Sequence, residues 1–513
     1  MIWHIFKKDW KLEWRLSVGV GLVQLILSAI LWHEGPIIAV SVLGFAALLA
    51  RAFLIVETVH NDPITGVRQD WLVRPIRRSD LRLEKIFFTV LVVQLPVFAG
   101  DLAESLAEGF SFGSSLEAAL SRSLYMVIAF SLPVLAVSSF TKNLLEVLAS
   151  GVFMVVAIAL AQSATVGMPV QKLVGTGVGW TVGSACLLML SAFVAAILFM
   201  QFRRRMTTAS RWSAAIGTVV LIGLFMIPWQ QAAFALQSHL SASPGAGSNV
   251  VVAFDASAAQ VPGQQRSGGI PGKAVLLIPV SVAGLPKGSI LAGDHYEIRL
   301  IDSQGVVRAK SQSLQYQADE LTAGKLDDGP ATSLHWRSPT IYVTVFIDTE
   351  EYLRLRDQKL RVELNYSLTL LQLADSYALP ATNGNERLPG FGWCRTHLNQ
   401  SGDSIVLNCI QAGRRPDCYS QALEHTPGGR SDSTTWECSN RDYSPYFAQF
   451  FPDSVVRFER RLWFDNPMAE TPHAVDGPDI GQAQVVIRNY RTLDHFTRTV
   501  TTPERVLSEW LAQ

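Results

Sequence analysis

Four cysteines, Cys394, Cys409, Cys418 and Cys438, fall within 45 residues of one another. An even, clustered set of thiols in an oxidising compartment forms disulfides. Three pairings are open to them. Cys394 with Cys409 and Cys418 with Cys438 are preferred, because each closes a short local loop. A zinc site would have to recruit His397 or His425, and no Cys-x-x-Cys pair is present to seed it. The fifth cysteine, Cys186, lies in an apolar run and reads as a small packing residue.

No other stretch carries convincing chemistry. Ser267-Gly268-Gly269-Ile270-Pro271-Gly272-Lys273-Ala274 approaches a phosphate-cradling loop but lacks its first glycine and final hydroxyl. Its proline also removes an amide donor. Ser139-x-x-Lys142 has the spacing of a nucleophile pair, but it sits in a short polar turn where the lysine serves better as a topology charge. Neither His-Glu-x-x-His nor Gly-x-Ser-x-Gly occurs. Glu350-Glu351 reads as a solvated helix face. The expectation is a chain with no catalytic residue, no metal and no cofactor of its own.

The elements that position these residues begin with seven apolar segments near membrane-spanning length. They are Ser17 to Trp32, Pro36 to Val56, Ile86 to Gly100, Ser123 to Val137, Leu144 to Ala161, Gly177 to Met200 and Ala214 to Leu236. Charge sorts the gaps between them. Alternate gaps hold fifteen Lys and Arg residues: Lys7, Lys8, Lys11 and Arg15; Arg68, Arg74, Arg77, Arg78, Arg82 and Lys85; Lys142; Arg203, Arg204, Arg205 and Arg211. The remaining gaps hold Arg122 and Lys172. Short loops rich in Lys and Arg stay in the cytoplasm. The N-terminus is therefore expected inside, and the chain after the seventh span outside, in a multi-pass inner-membrane protein with a periplasmic C-terminal domain.

Residues 1–236 carry 18 basic and 13 acidic groups, and the remainder carries 25 and 30. Nothing in that balance calls for nucleic acid. A Ser-, Gly- and Pro-rich linker is expected over 237–272, with one strand-like run at Val250 to Phe254. Residues 273–513 then show strand signals at Ala274 to Val282, Tyr296 to Ile301, Ile341 to Ile347, Leu360 to Leu370, Ile405 to Cys409, Val455 to Phe464 and Val485 to Tyr490. Turns are expected at Gly293-Asp294 and at Asp302-Ser303-Gln304-Gly305. The fold class that follows is a polytopic α-helical membrane domain with a C-terminal mainly-β, sandwich-like extracytoplasmic domain, as one large sandwich or two small ones. A closing helix is expected with Thr502 as its cap, Pro503 as its first residue and Val506, Leu507 and Trp510 as its apolar face.

Some charges fall in or beside the spans. Arg51 lies inside the second and reads as a snorkelling or paired cation, and Glu146 reads equally as its partner or as an interfacial charge. Asp101 and Glu104 read as solvated. Leu102, Leu106, Phe110, Leu116 and Leu120 recur at roughly helical spacing, which predicts a short surface helix. Pro96, Pro133 and Pro228 predict kinks.

The loop between the second and third spans, within 57–85, is the most specific local feature. It contains Asp62, Gly66, Arg68, Trp71, Leu72, Arg74, Pro75, Ile76 and Arg78. Its composition alone fits an interfacial anchor held by Trp and anionic lipid. Two spans, a cytosolic segment of this pattern and further spans with a tight inner turn resemble the membrane subunits of ABC-type exporters of the type-2 permease class. The resemblance covers roughly residues 1–210 and departs from the family in a seventh span and the large outer domain. It implies that Arg68 to Arg78 dock a separate ATP-binding cassette subunit. It also implies a pathway formed by a second permease copy or a related chain, with ATP on the partner. The alternative is a non-transporting sensor or assembly protein, whose β domain binds an envelope ligand or protein. A membrane-tethered enzyme is the third reading, and the lack of motifs weighs against it.

Overall fold

The computed structural model describes residues 2–32, 37–61, 78–165, 178–226, 230–258, 272–312, 322–325, 332–333, 341–389, 391–399, 404–412, 418–425, 433–437, 455–463 and 483–510. The N-terminal region is helical: α1 (Ile2–Trp32), α2 (Ile37–His60), α3 (Arg78–Phe88), α4 (Leu95–Ala107), α5 (Phe112–Met126), α6 (Leu132–Phe140), α7 (Leu144–Thr165), α8 (Val178–Phe199), α9 (Thr207–Met226) and α10 (Gln230–His239). The described residues of all seven predicted apolar segments lie on these helices or on π-helical turns joined to them. Among the described residues, five helices are long and apolar enough to cross a membrane: Ile2–Ile30, Ile38–His60, Ser79–Ala107, Phe112–Phe140 and Gly183–Arg204. Residues such as Leu54, Phe88, Val93, Leu135 and Leu198 form their common core.

The third and fourth helices are longer than their apolar runs. Each covers 29 residues, or about 44 Å at 1.5 Å per residue, against about 30 Å of hydrocarbon. α3 continues through a π-helical stretch, Thr89–Gln94, into α4, and α5 continues through Val127–Ser131 into α6. Both π segments lie directly before a proline-bearing first turn, at Pro96 and Pro133. Proline has no N–H and crowds the preceding carbonyl, and a widened turn relieves both. The surface helix expected around 102–120 is thus the far end of a helical hairpin. Its tip is residues 108–111, where the Ser111 side chain caps α5 by accepting from the Ser114 amide.

The C-terminal region is mainly β. Its elements are β1 (Val251–Phe254), β2 (Lys273–Ala283), β3 (Ser289–Asp302), β4 (Val307–Gln312), β5 (Thr322–Lys325), β6 (Thr332–Ser333), β7 (Ile341–Asp348), α11 (Thr349–Leu355), β8 (Lys359–Pro380), β9 (Asn385–Leu388), β10 (Gly392–Leu398), β11 (Ser404–Ala412), β12 (Cys418–His425), β13 (Ser433–Glu437), β14 (Val455–Trp463), β15 (Gln484–Thr501) and β16 (Arg505–Val506). Among the described residues these form three sheets, in the orders β1-β2-β7, β14-β11-β10-β9 and β13-β12-β15-β8-β3-β5-β6, with β4 beside β3 and β16 beside β8. Every predicted strand segment with described residues lies on one of these strands. Gly293-Asp294 is not a turn: it lies inside β3, at a register shift against β8. The turn at Asp302 to Gly305 is present. Hydrogen bonds from the Val306 amide above all, then from Arg308 and the Gln304 amide, hold the Asp302 carboxyl below the usual carboxylate range.

Two hydrophobic cores share the long strands β8 and β15. In the first, Leu276, Ile278 and Val343 of the small sheet pack on Ile298, Leu364 and Leu368. In the second, Leu379, Val485 and Ile487 pack on Phe391, Leu407 and Leu462. Between them β8 passes through an exposed stretch at Ala374, Asp375 and Ser376. The chain end differs from expectation. Thr502 accepts from the Val362 amide, β16 pairs with β8, and a single 3-10 turn, Leu507–Trp510, buries Leu507 and Trp510.

Much of the described part of the predicted linker is also built into the β region. β1 pairs with β2, and Val250 is fully buried. The Asp494 carboxylate accepts from the amides of Gly245 and Gly247. Arg498 donates to the carbonyls of Gly247, Ser248 and Val250. Ser241 meets the ring and the amide of His495, and Phe234 of α10 lies edge-on to the same ring at 5.6 Å.

Candidate functional site

Three polar or close-packed junctions organise the helical region. The first frames the loop that carries the sequence motif. α2 ends at His60, whose Nε2 lies 3.3 Å from the Ser138 carbonyl and 3.4 Å from the Thr141 hydroxyl. The next residue, Asn61, donates to Glu13 of α1 at 2.6 Å. On the far side of the loop, Lys85 of α3 donates to Asp9 of α1 at 2.5 Å and lies 3.5 Å from Glu84. Asp9, Glu84 and Lys85 are all buried, and Phe6 of α1 packs on Phe87 and Phe88 above them. Both ends of the loop are thus fastened to one helix, α1. A buried ion cluster is costly to assemble and more costly to break, so it fixes geometry more than it adds net stability.

Of the motif residues, Asp62, Gly66, Arg68, Trp71, Leu72, Arg74 and Pro75 lie outside the described residues, and Arg78 opens α3. Sequence reasoning read Lys85 as an inner-side charge and gave Asp9 no role. An acid standing alone among Lys7, Lys8 and Lys11 was the signal available for the latter.

The second junction lies midway along the helices. Gln94 and Ser131, one in each π segment, share a hydrogen bond of 2.5 Å and so couple the two widened turns. Arg51 does not pair with Glu146. It is buried and donates to Gln24 of α1, while Glu146 accepts from Arg211 at 3.1 Å. Asp101 and Glu104 are not solvated either. Asp101 is fully buried in an ion pair with Arg122, and Glu104 is buried beside it on α4. Satisfying each other lets these groups leave water, which explains how helices with polar ends run past their apolar stretches. Gly100 lies so close to Ser28 that a side chain there would meet its hydroxyl at 2.6 Å, so α1 and α4 touch backbone to side chain.

The third junction is the hairpin tip. Phe110 packs on Gly392 at the start of β10. Gly392 has φ +64°, and a Cβ there would come within 2.5 Å of the Phe110 ring. Trp393 and Arg387 flank Gly109. The sheet so contacted carries the disulfide. Cys394 and Cys409 stand opposite each other in the β10–β11 ladder and are bonded, as loop length predicted. That bond removes both thiolates from any zinc site. Cys418 opens β12, and Cys438 lies outside the described residues. Replacing Phe110 by Ala should cost on the order of 1–2 kcal/mol for a half-buried ring. Hydrogen exchange should then accelerate in the tip and in β9–β10 and stay unchanged in α8. Uniform exchange would mean that the tip does not brace the sheet.

No protein-family model matches this chain, and neither does any curated protein. Among solved structures, a chain of the mosquito-larvicidal Cry4Aa toxin from Bacillus thuringiensis aligns over 94% of this chain and 92% of its own at 9% identity. The TM-score of 0.14 is too low for that likeness to inform fold or function.

Proposed function

We propose that this protein is the membrane (permease) subunit of an ABC-type transporter, an exporter, driven by a separate ATP-binding cassette subunit. The cytoplasmic side is the one bearing the basic loops, and the β region stands on the periplasmic side of the inner membrane. The observation that carries the reading is the framing of the motif loop. Its start, at His60 and Asn61, and its exit, at Lys85, are both held by buried or short polar contacts to the helical core. A subunit bound at Arg68 to Arg78 would push on a rigid frame. The helix leaving that frame runs to the hairpin tip and so to the disulfide-bearing sheet. A second copy or a related chain would complete the pathway, and the β region would receive cargo or pass it to an envelope protein.

The sensor or assembly alternative uses the same rod in the opposite direction, from a ligand on the β region to the loop. Purification of the full-length protein from its native membrane in mild detergent separates the two. A stoichiometric ATP-binding subunit should co-purify, and simultaneous Arg68→Ala, Trp71→Ala and Arg74→Ala should abolish its retention while leaving the helical melt unchanged. Recovery of an envelope protein alone, with no ATPase, would support the sensor.

A further inference from the structure

The first four turns of α1 have two faces. One is committed to the protein: Ile5 and Asp9 are buried against α3. The other carries Trp3, Lys7, Trp10 and Trp14, whose spacing of four, three and four places them along one stripe. The three tryptophans remain 56%, 41% and 47% exposed. Lys7, Lys11 and Arg15 are exposed beside them. The Lys7 ammonium stands 5.6 Å from the Trp3 ring centre, and the Arg15 guanidinium 5.6 Å from that of Trp14.

The apolar half of the same helix begins at Leu16, so the stripe lies where a spanning helix leaves the hydrocarbon. Exposed indoles in that layer sit among headgroups, and cations beside them are drawn to anionic lipid. A soluble protein partner would explain the charges. It would not explain why the stripe runs on up the same side of the helix into Val18, Leu22 and Leu25, which are 45%, 54% and 51% exposed.

We propose that this face is a binding surface for anionic phospholipid headgroups of the adjoining leaflet, with indoles seated in the headgroup layer and Lys7, Lys11 and Arg15 pairing with phosphates. The inference does not depend on the transport reading. At about 1 kcal/mol per cation, three cations give a preference on the order of a hundredfold for anionic over zwitterionic lipid.

Native mass spectrometry of the full-length protein, titrated with phosphatidylglycerol or phosphatidylcholine, reads this preference directly. Phosphatidylglycerol should bind at least tenfold more tightly. Lys7→Gln, Lys11→Gln and Arg15→Gln together should reduce the ratio to within a few fold. Arg203→Gln with Arg204→Gln, at another basic gap, should leave most of it. Equal affinity for the two lipids overturns the proposal, as does an equal loss in the control variant. Should the α1 variant fail to insert, hydrogen exchange on the unchanged protein in lipid nanodiscs gives the same answer. Exchange from Ile2 to Arg15 should slow when phosphatidylglycerol replaces phosphatidylcholine, and an unchanged rate there sinks the idea.

Discussion

Lys85→Met should destabilise the helical region by about 3–5 kcal/mol, the usual cost of removing one partner from a buried ion pair. The substitution nearly conserves volume and leaves Asp9 and Glu84, both fully buried, facing each other without the ammonium between them. Asp9→Asn alone should cost less, because Glu84 remains within 3.5 Å of the lysine. Combining Asp9→Leu with Lys85→Met should recover part of the loss, since the two changes act on one contact and cannot add. Unfolding of the purified protein in detergent, followed by circular dichroism, measures all three. A Lys85→Met protein that melts with the wild type would show that the charges are hydrated and that the frame around the motif loop is loose.

Replacing Cys394 and Cys409 together by Ala should cost about 3 kcal/mol, the entropy of closing a 15-residue loop in the unfolded chain. For a β unit of this size that corresponds to a fall of roughly 6–12 °C in its melting transition. The loss should be confined to the second core, to which both cysteines belong, while the core around Leu276 and Ile278 holds. Differential scanning calorimetry should then show the β transition broaden or split. Two free thiols at these positions in the native protein, detected by alkylation and mass spectrometry, would remove the disulfide altogether.

The apolar helices and most strands were legible because their signals are local: a run of apolar residues, or an alternation. The helix ends were not. Asp101 and Glu104 read as solvent-facing, since sequence does not say that an acid on one helix will meet a cation 21 residues later and leave water with it. For Arg51 the sequence leaves snorkelling and pairing open, and neither reading names Gln24, which it meets in the buried interior. Gln24 lies deep in α1 and Glu146 in the first turn of α7, and helix packing brings Gln24 to the arginine. The long strands were half seen. Leu360 to Leu370 alternates and was read as a strand. Beyond it β8 crosses the exposed stretch between two cores, where alternation fails and the strand continues because β15 pairs with it throughout. The pairing of Cys394 with Cys409 was legible from loop length alone.

The way the chain enters the β region sets where it can be divided. Residues that look like a flexible tether supply an edge strand, β1, and the capped turns held by Asp494 and Arg498. A fragment starting at Lys273 would strip β2 of β1, one of its two neighbours, and leave Asp494 buried without the amides of Gly245 and Gly247. Such a fragment should express poorly and aggregate through the bared edge of β2. One starting at Gln230 keeps Phe234 on His495 together with β1 and the capped turns, for crystallisation or binding assays.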